Sequence, residues 1–213
     1  MLTTRTFEHR YVPAAKKGER ERVLLVLHGL GDSLRGFSFL PEALNIDAFS
    51  YLFLNAPDSY YGGYSWYDYP GNSAVGIRRS REMLLQLLQE LKEQGVAAND
   101  IFLFGFSQGC LMATDLGLRS SEILGGICGV SGYVAFMEEY PEHFSPVAQS
   151  QHFFITHGYL DPMVPFESSF RQFQQLQKFG IPLEFHPYDK DHTILPEELN
   201  DIATWFRFQI NAS

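Results

Sequence analysis

The sequence predicts an α/β fold: a mostly parallel central sheet with helices on both faces, in a single domain over residues 1–213. Three observations carry this. Short apolar runs alternate with amphipathic helical patterns along the chain. Several of those runs are continuous rather than alternating, as strands buried on both faces are. No repeat, low-complexity tract or linker interrupts the 213 residues, a length that one α/β core can hold.

The strand candidates are Val23–Leu27, Tyr51–Asn55, Ile101–Phe104, Gly126–Val130, His152–Thr156 and Leu183–Pro187. The stretch from Thr4 to Val12 alternates loosely and is expected to add an antiparallel edge hairpin. Ile77, Ser80, Met83, Leu84, Leu87, Leu88 and Leu91 share one helical face, and Gly95 suits the stop. A second helix is predicted from about Gln108 to Leu118. Phe166, Phe170, Phe173 and Leu176 mark a third, closed by Gly180 and Pro182. The last starts near Pro196, a good first helical position, and buries Leu199, Ile202, Trp205 and Phe206.

Composition excludes several classes of function. A formal net charge of −9 argues against nucleic acid and against attachment to anionic membranes, both of which need a clustered basic face. The sharpest basic run, Arg78 and Arg79 with Arg81, is expected on a solvated helix face. The N-terminal residues lack the apolar core of a signal peptide, and no uncharged apolar run approaches the roughly 18 residues of a membrane span. Cys110 and Cys128, both among small apolar neighbours, read as buried free thiols in a reducing compartment. A soluble, cytoplasmic protein is the expectation. Aromatic residues reach 15%, more than a core of this size needs, and the surplus suits an apolar pocket.

Residues 105–109, Gly-Phe-Ser-Gln-Gly, place G-x-S-x-G between a strand and a helix. The pentapeptide alone arises by chance in roughly 5–10% of chains this long, so its setting carries the weight. A serine on a sharp strand-to-helix turn presents its hydroxyl clear of the sheet, small neighbours let strand and helix approach, and the helix N-terminus favours developing negative charge. Ser107 is therefore the candidate nucleophile.

A hydroxyl needs a base, and the base an orienting acid. Asp161 follows the strand ending at Thr156, and His192 follows the strand ending at Pro187, so both are predicted at the C-terminal edge of the sheet with Ser107. Asp191 is the main rival acid. His28 and His157 precede glycines at strand ends and read as structural; His152 and His186 read as core or sheet-face residues. An oxyanion hole needs two backbone N–H groups. Gln108 offers one, and the loop His28-Gly29-Leu30-Gly31-Asp32 offers the other, best from Leu30.

These residues resemble the acyl-protein thioesterase, or phospholipase/carboxylesterase, branch of the α/β-hydrolases. The matching segments are residues 27–32, 65–68, 105–109, 131–133 and 157–165, in family order, within a likeness running from about Val23 to Phe206. The resemblance implies a Ser107–His192–Asp161 triad, an oxyanion hole from Leu30 and Gln108, and hydrolysis of acyl esters or thioesters without metal or organic cofactor. The substrates would be small molecules or acylated proteins, with neither nucleic acid nor stable membrane insertion involved, and a homodimer is left open. It also places Trp66, Met163 and Val164 at the acyl pocket.

The chain departs from the family pattern in three places. Trp66-Tyr67-Asp68 stands where members often carry Trp-Phe-Asp. The segment from Ala56 to Trp66 is short and tyrosine-rich, which suits either a surface hairpin packed on its own aromatics or a pocket wall. Asp191-His192-Thr193 replaces the usual Gly-His-Ser or Gly-His-Thr. Two other readings stay open on sequence alone: a catalytically silent binding protein of this fold, and a hydrolase of another carbonyl such as a lactone or small peptide.

Overall fold

A computed structural model describes residues 1–16, 18 and 20–212. In chain order the elements are β1 (His9–Val12), β2 (Arg22–Leu27), α1 (Leu40–Leu44), β3 (Phe49–Leu54), β4 (Asp58–Tyr60), β5 (Gly63–Ser65), α2 (Ser73–Glu93), β6 (Ile101–Phe106), α3 (Gln108–Arg119), β7 (Gly126–Val130), β8 (Phe153–Gly158), α4 (Phe166–Lys178), β9 (Leu183–Tyr188) and α5 (Pro196–Ala212). Seven strands form one sheet in the order β1-β3-β2-β6-β7-β8-β9, and β4 pairs with β5 in a separate hairpin. All pairings in the large sheet are parallel except that of β1 with β3.

The continuous apolar strands are explained by the two layers they separate. In β2, Val23, Leu25 and Leu27 face the core shared with α2, α3 and α4, while Leu24 and Val26 face the core shared with α1 and α5. Successive side chains of a strand point to opposite faces, so covering both faces demands an apolar residue at every position. The helix α2 buries Ile77, Leu84, Leu87, Leu88 and Leu91 on one side, as its 3.6-residue period requires. Both cysteines are buried and free, and burial pushes the Cys110 thiol up to about 12.

Two expectations need correction. Thr4–Val12 is not a hairpin: only His9–Val12 is a strand, and it pairs with β3 at the edge. Upstream, Glu90 on α2 engages the chain instead, accepting from the Arg5 N–H (3.2 Å) and the Thr6 hydroxyl (3.1 Å). Second, Arg81 is buried. Its Nε and Nη2 donate to the Asp115 carboxylate at 2.6 and 2.9 Å, tying α2 to α3, while Arg78 and Arg79 remain exposed. The helix α1 had no counterpart in the sequence reading, because five residues give too short a period to recognise.

Candidate active site

The parallel strands bring their C-terminal ends to one edge, where the predicted residues gather. Ser107 occupies the single position between β6 and α3, with φ 55° and ψ −113°. A side chain at positive φ is strained, and the surroundings enforce it. Its N–H donates to Val130 O at 2.9 Å, which ties the turn to the end of β7. The flanking glycines are dictated by close approach. A Cβ on Gly105 would lie 2.2 Å from Gly109 O, and one on Gly109 would lie 2.1 Å from Leu27 O.

Asp161 lies in the turn after β8 and is buried. Its Oδ1 accepts the N–H groups of Met163 (2.9 Å) and Val164 (2.8 Å). That leaves Oδ2 to His192 Nδ1, 2.7 Å away. A carboxylate at Nδ1 takes that nitrogen's proton in a hydrogen bond and leaves Nε2 with its lone pair free. The His192 ring packs on Phe106, with centroids 4.9 Å apart. The rival acid, Asp191, is exposed.

The loop carrying His192 is clamped from below. Lys190 Nζ donates to both oxygens of Glu198 (2.6 and 2.7 Å) and to Thr193 O (2.7 Å), and the Lys190 carbonyl accepts the Leu160 N–H (3.1 Å). One residue thus holds the segment of Asp161 and the segment of His192 together. Burial lowers the Lys190 ammonium, and Glu198 opposes the shift.

In the loop after β2, the N–H of Gly31 donates to Tyr64 O (2.9 Å) and that of Asp32 to Gly29 O (3.3 Å). The Leu30 N–H has no partner among the described residues. Gln108 opens α3, where backbone N–H groups have no partner within the helix. Its side chain has a separate task. Oε1 accepts the Trp66 N–H (3.0 Å) and Nε2 donates to Tyr67 O (3.1 Å), fixing the segment after the β4–β5 hairpin.

Ser107, His192, Leu30 and Gln108 all line one cavity of about 470 Å³. Met163 and Val164 lie on its wall. Trp66 does not. Its indole N–H donates to His28 O at 2.9 Å, so it packs against the loop after β2 instead. The neighbouring Tyr67 lines the cavity in its place, with Tyr69 and Tyr133. The Tyr60–Trp66 stretch divides accordingly: Tyr61 is exposed at the hairpin tip, and the arm beyond it runs inward. Phe106, inside the Gly-Phe-Ser-Gln-Gly motif, also lines the cavity, as do Phe37 and Gln172, whose sequence surroundings do not mark them.

Two other histidines are buried and structural. His28 Nε2 accepts the Ala56 N–H (3.0 Å), so its proton sits on Nδ1 and is donated to Gly29 O (2.6 Å). His157 Nε2 donates to Val164 O (2.9 Å). Burial lowers the pKa of both.

The fold, with a serine at the turn from β6 to α3, defines an α/β-hydrolase. The chain belongs to the phospholipase/carboxylesterase family of serine hydrolases, whose model matches residues 9–210. It is 31% identical to acyl-protein thioesterase 1 of Yarrowia lipolytica, over 93% of this chain and 96% of that protein. It is 30% identical to a probable carboxylesterase of Oryza sativa, over 96% and 85%. Among solved structures, esterase PE8 superposes with a TM-score of 0.84 at 27% identity, covering 95% of this chain and 98% of that one. No helix among the described residues is long and apolar enough to cross a membrane.

Proposed function

We propose that this hydrolase cleaves carboxylic ester or thioester bonds of acylated substrates, through an acyl-enzyme on Ser107. The observation that carries the reading is the His192 Nδ1–Asp161 Oδ2 bond of 2.7 Å, beside a cavity that also holds Ser107 in its strained turn. The thioesterase and carboxylesterase relatives support the same bond types.

His192 Nε2 takes the Ser107 hydroxyl proton as the oxygen attacks the acyl carbonyl carbon. The carbonyl π electrons move onto oxygen, where the N–H groups of Leu30 and Gln108 stabilise the charge by about 3 kcal/mol each. Collapse of the intermediate breaks the bond to the alcohol or thiol, which leaves with the proton from His192. Water then gives up a proton to His192, attacks the acyl-enzyme and releases the acid, returning the proton to Ser107.

The test is hydrolysis of p-nitrophenyl butyrate by the wild type and by Ser107→Ala, with fluorophosphonate labelling of both. The expected loss is on the order of 10⁶-fold, with labelling confined to the wild type. An alanine variant of undiminished activity, or an unlabelled wild type, would refute the assignment. The second outcome would favour a silent binding protein of the same fold.

A further inference from the structure

One wall of the cavity carries more hydrogen-bond donors than it has acceptors for. The hydroxyls of Tyr67 and Tyr133 lie 2.9 Å apart. Two hydroxyls bring two hydrogens, and the bond between them uses one. Neither has another acceptor among the described residues. Burial raises both phenols above their ordinary value, so both keep their protons at working pH. Beside them Gln172, on α4, accepts the Val134 N–H through Oε1 at 2.9 Å. A backbone N–H can be met only by the amide oxygen, which fixes the orientation of the group. Both hydrogens on Nε2 are then without a partner among the described residues.

Resting on the ester and thioester reading above, we infer that the acyl groups this site selects carry a neutral oxygen acceptor, a keto or amide carbonyl, that meets these donors. An unsubstituted alkyl chain would displace water from the phenol and the amide without replacing its hydrogen bonds. A carbonyl in the chain restores them, and sites of this kind discriminate by hydrogen bonding more sharply than by apolar fit. A carboxylate suits the wall less well. Among the described residues no lysine or arginine lines the cavity, and Asp32 contributes a carboxylate of its own.

The experiment compares kcat/KM for p-nitrophenyl hexanoate with 5-oxohexanoate, and heptanoate with 6-oxoheptanoate, each corrected by its rate with hydroxide. The wild type is expected to favour one oxo ester of the two pairs by roughly two- to tenfold. Tyr67→Phe/Tyr133→Phe removes both hydroxyls, which is necessary because either single change leaves the other hydrogen free. Gln172→Glu keeps an oxygen for Val134 and removes both donors. Each variant is expected to bring the ratio close to one. A ratio within one preparation does not depend on how much of the protein is folded. If the plain esters turn over in a Ser107-dependent way but the wild-type ratios equal one, or no variant moves them, the acceptor inference falls alone. If no ester turns over, the esterase reading falls with it.

Discussion

Replacing Lys190 by Met tests whether the buried ion pair beneath the His192 loop holds that loop in place. The side chains of Lys190 and Glu198 are 1% and 0% exposed, so water screens neither. Methionine has a similar length and leaves little cavity; what disappears is the cation. Glu198 then keeps one donor, the Leu195 N–H at 3.1 Å, and an uncompensated buried charge. Removing one partner of a buried pair costs about 3–5 kcal/mol; the Thr193 carbonyl, which loses the same donor, belongs to an exposed residue that water can reach. That approaches the whole stability of many domains, typically about 5–15 kcal/mol. A double variant provides the check. Urea denaturation is expected to show a gap of about 4 kcal/mol from wild type at pH 7.5. The double variant Lys190→Met/Glu198→Leu removes both charges and is expected within about 2 kcal/mol of wild type. A gap under about 1 kcal/mol for the single variant, or a double variant no better than the single, would refute the reasoning.

Two further outcomes follow from the same contacts. Gln108→Ala strands the buried Trp66 N–H, while the Tyr67 carbonyl keeps the Ser65 hydroxyl at 2.6 Å, and is expected to lower stability by about 1–3 kcal/mol by chemical denaturation. Its backbone N–H survives, so kcat for p-nitrophenyl butyrate is expected to fall far less than the roughly hundredfold loss of an oxyanion donor. Separately, His28 and His157 have folded pKa values below the unfolded value of about 6.5, because burial disfavours their charged forms. The unfolded chain therefore binds more protons below that pH, and stability falls as pH drops from 7.5 to 5.5, by about 1–3 kcal/mol. Urea midpoints that stay level or rise over that interval would contradict the neutral burial of these rings.

What could be read from the sequence was whatever rests on local pattern. The buried strands announce themselves because both faces are apolar, and Ser107, Asp161 and His192 each sit a few residues beyond such a strand. Since parallel strands end at one edge, knowing the strands placed the residues. What escaped depends on partners far along the chain. Arg81 lies among exposed arginines, and only Asp115, on another helix, explains its burial. Trp66 and Tyr67 are neighbours in a bend and both are buried, yet only Tyr67 lines the cavity. The inward turn of that segment is set by Gln108, 41 residues from Tyr67, so no local signal could choose between them. The edge strand failed for a similar reason. Its partner is β3, not the next strand in sequence.

The two halves of the site are held by different kinds of interaction, and this has a consequence for how substrate choice can vary. The chemical half is fixed by backbone: a serine at φ 55° between glycines that tolerate no Cβ, and an acid whose Oδ1 is bound by two N–H groups. Almost any change there breaks the geometry. The wall facing it is assembled from side chains on three separate elements, Tyr67 after β5, Tyr133 after β7 and Gln172 on α4. The two tyrosine hydroxyls lie 2.9 Å apart and the Gln172 amide oxygen accepts the Val134 N–H, and none of the three side chains carries the backbone of Ser107. Removing the Tyr67 hydroxyl leaves the turn at Ser107 where it is, because the Gln108 bond to residue 67 is made to its carbonyl. On the reading proposed above, substrate preference would rest on the Tyr67 and Tyr133 hydroxyls taken together and on the Gln172 amide, side chains that can change while the backbone around Ser107 stays in place.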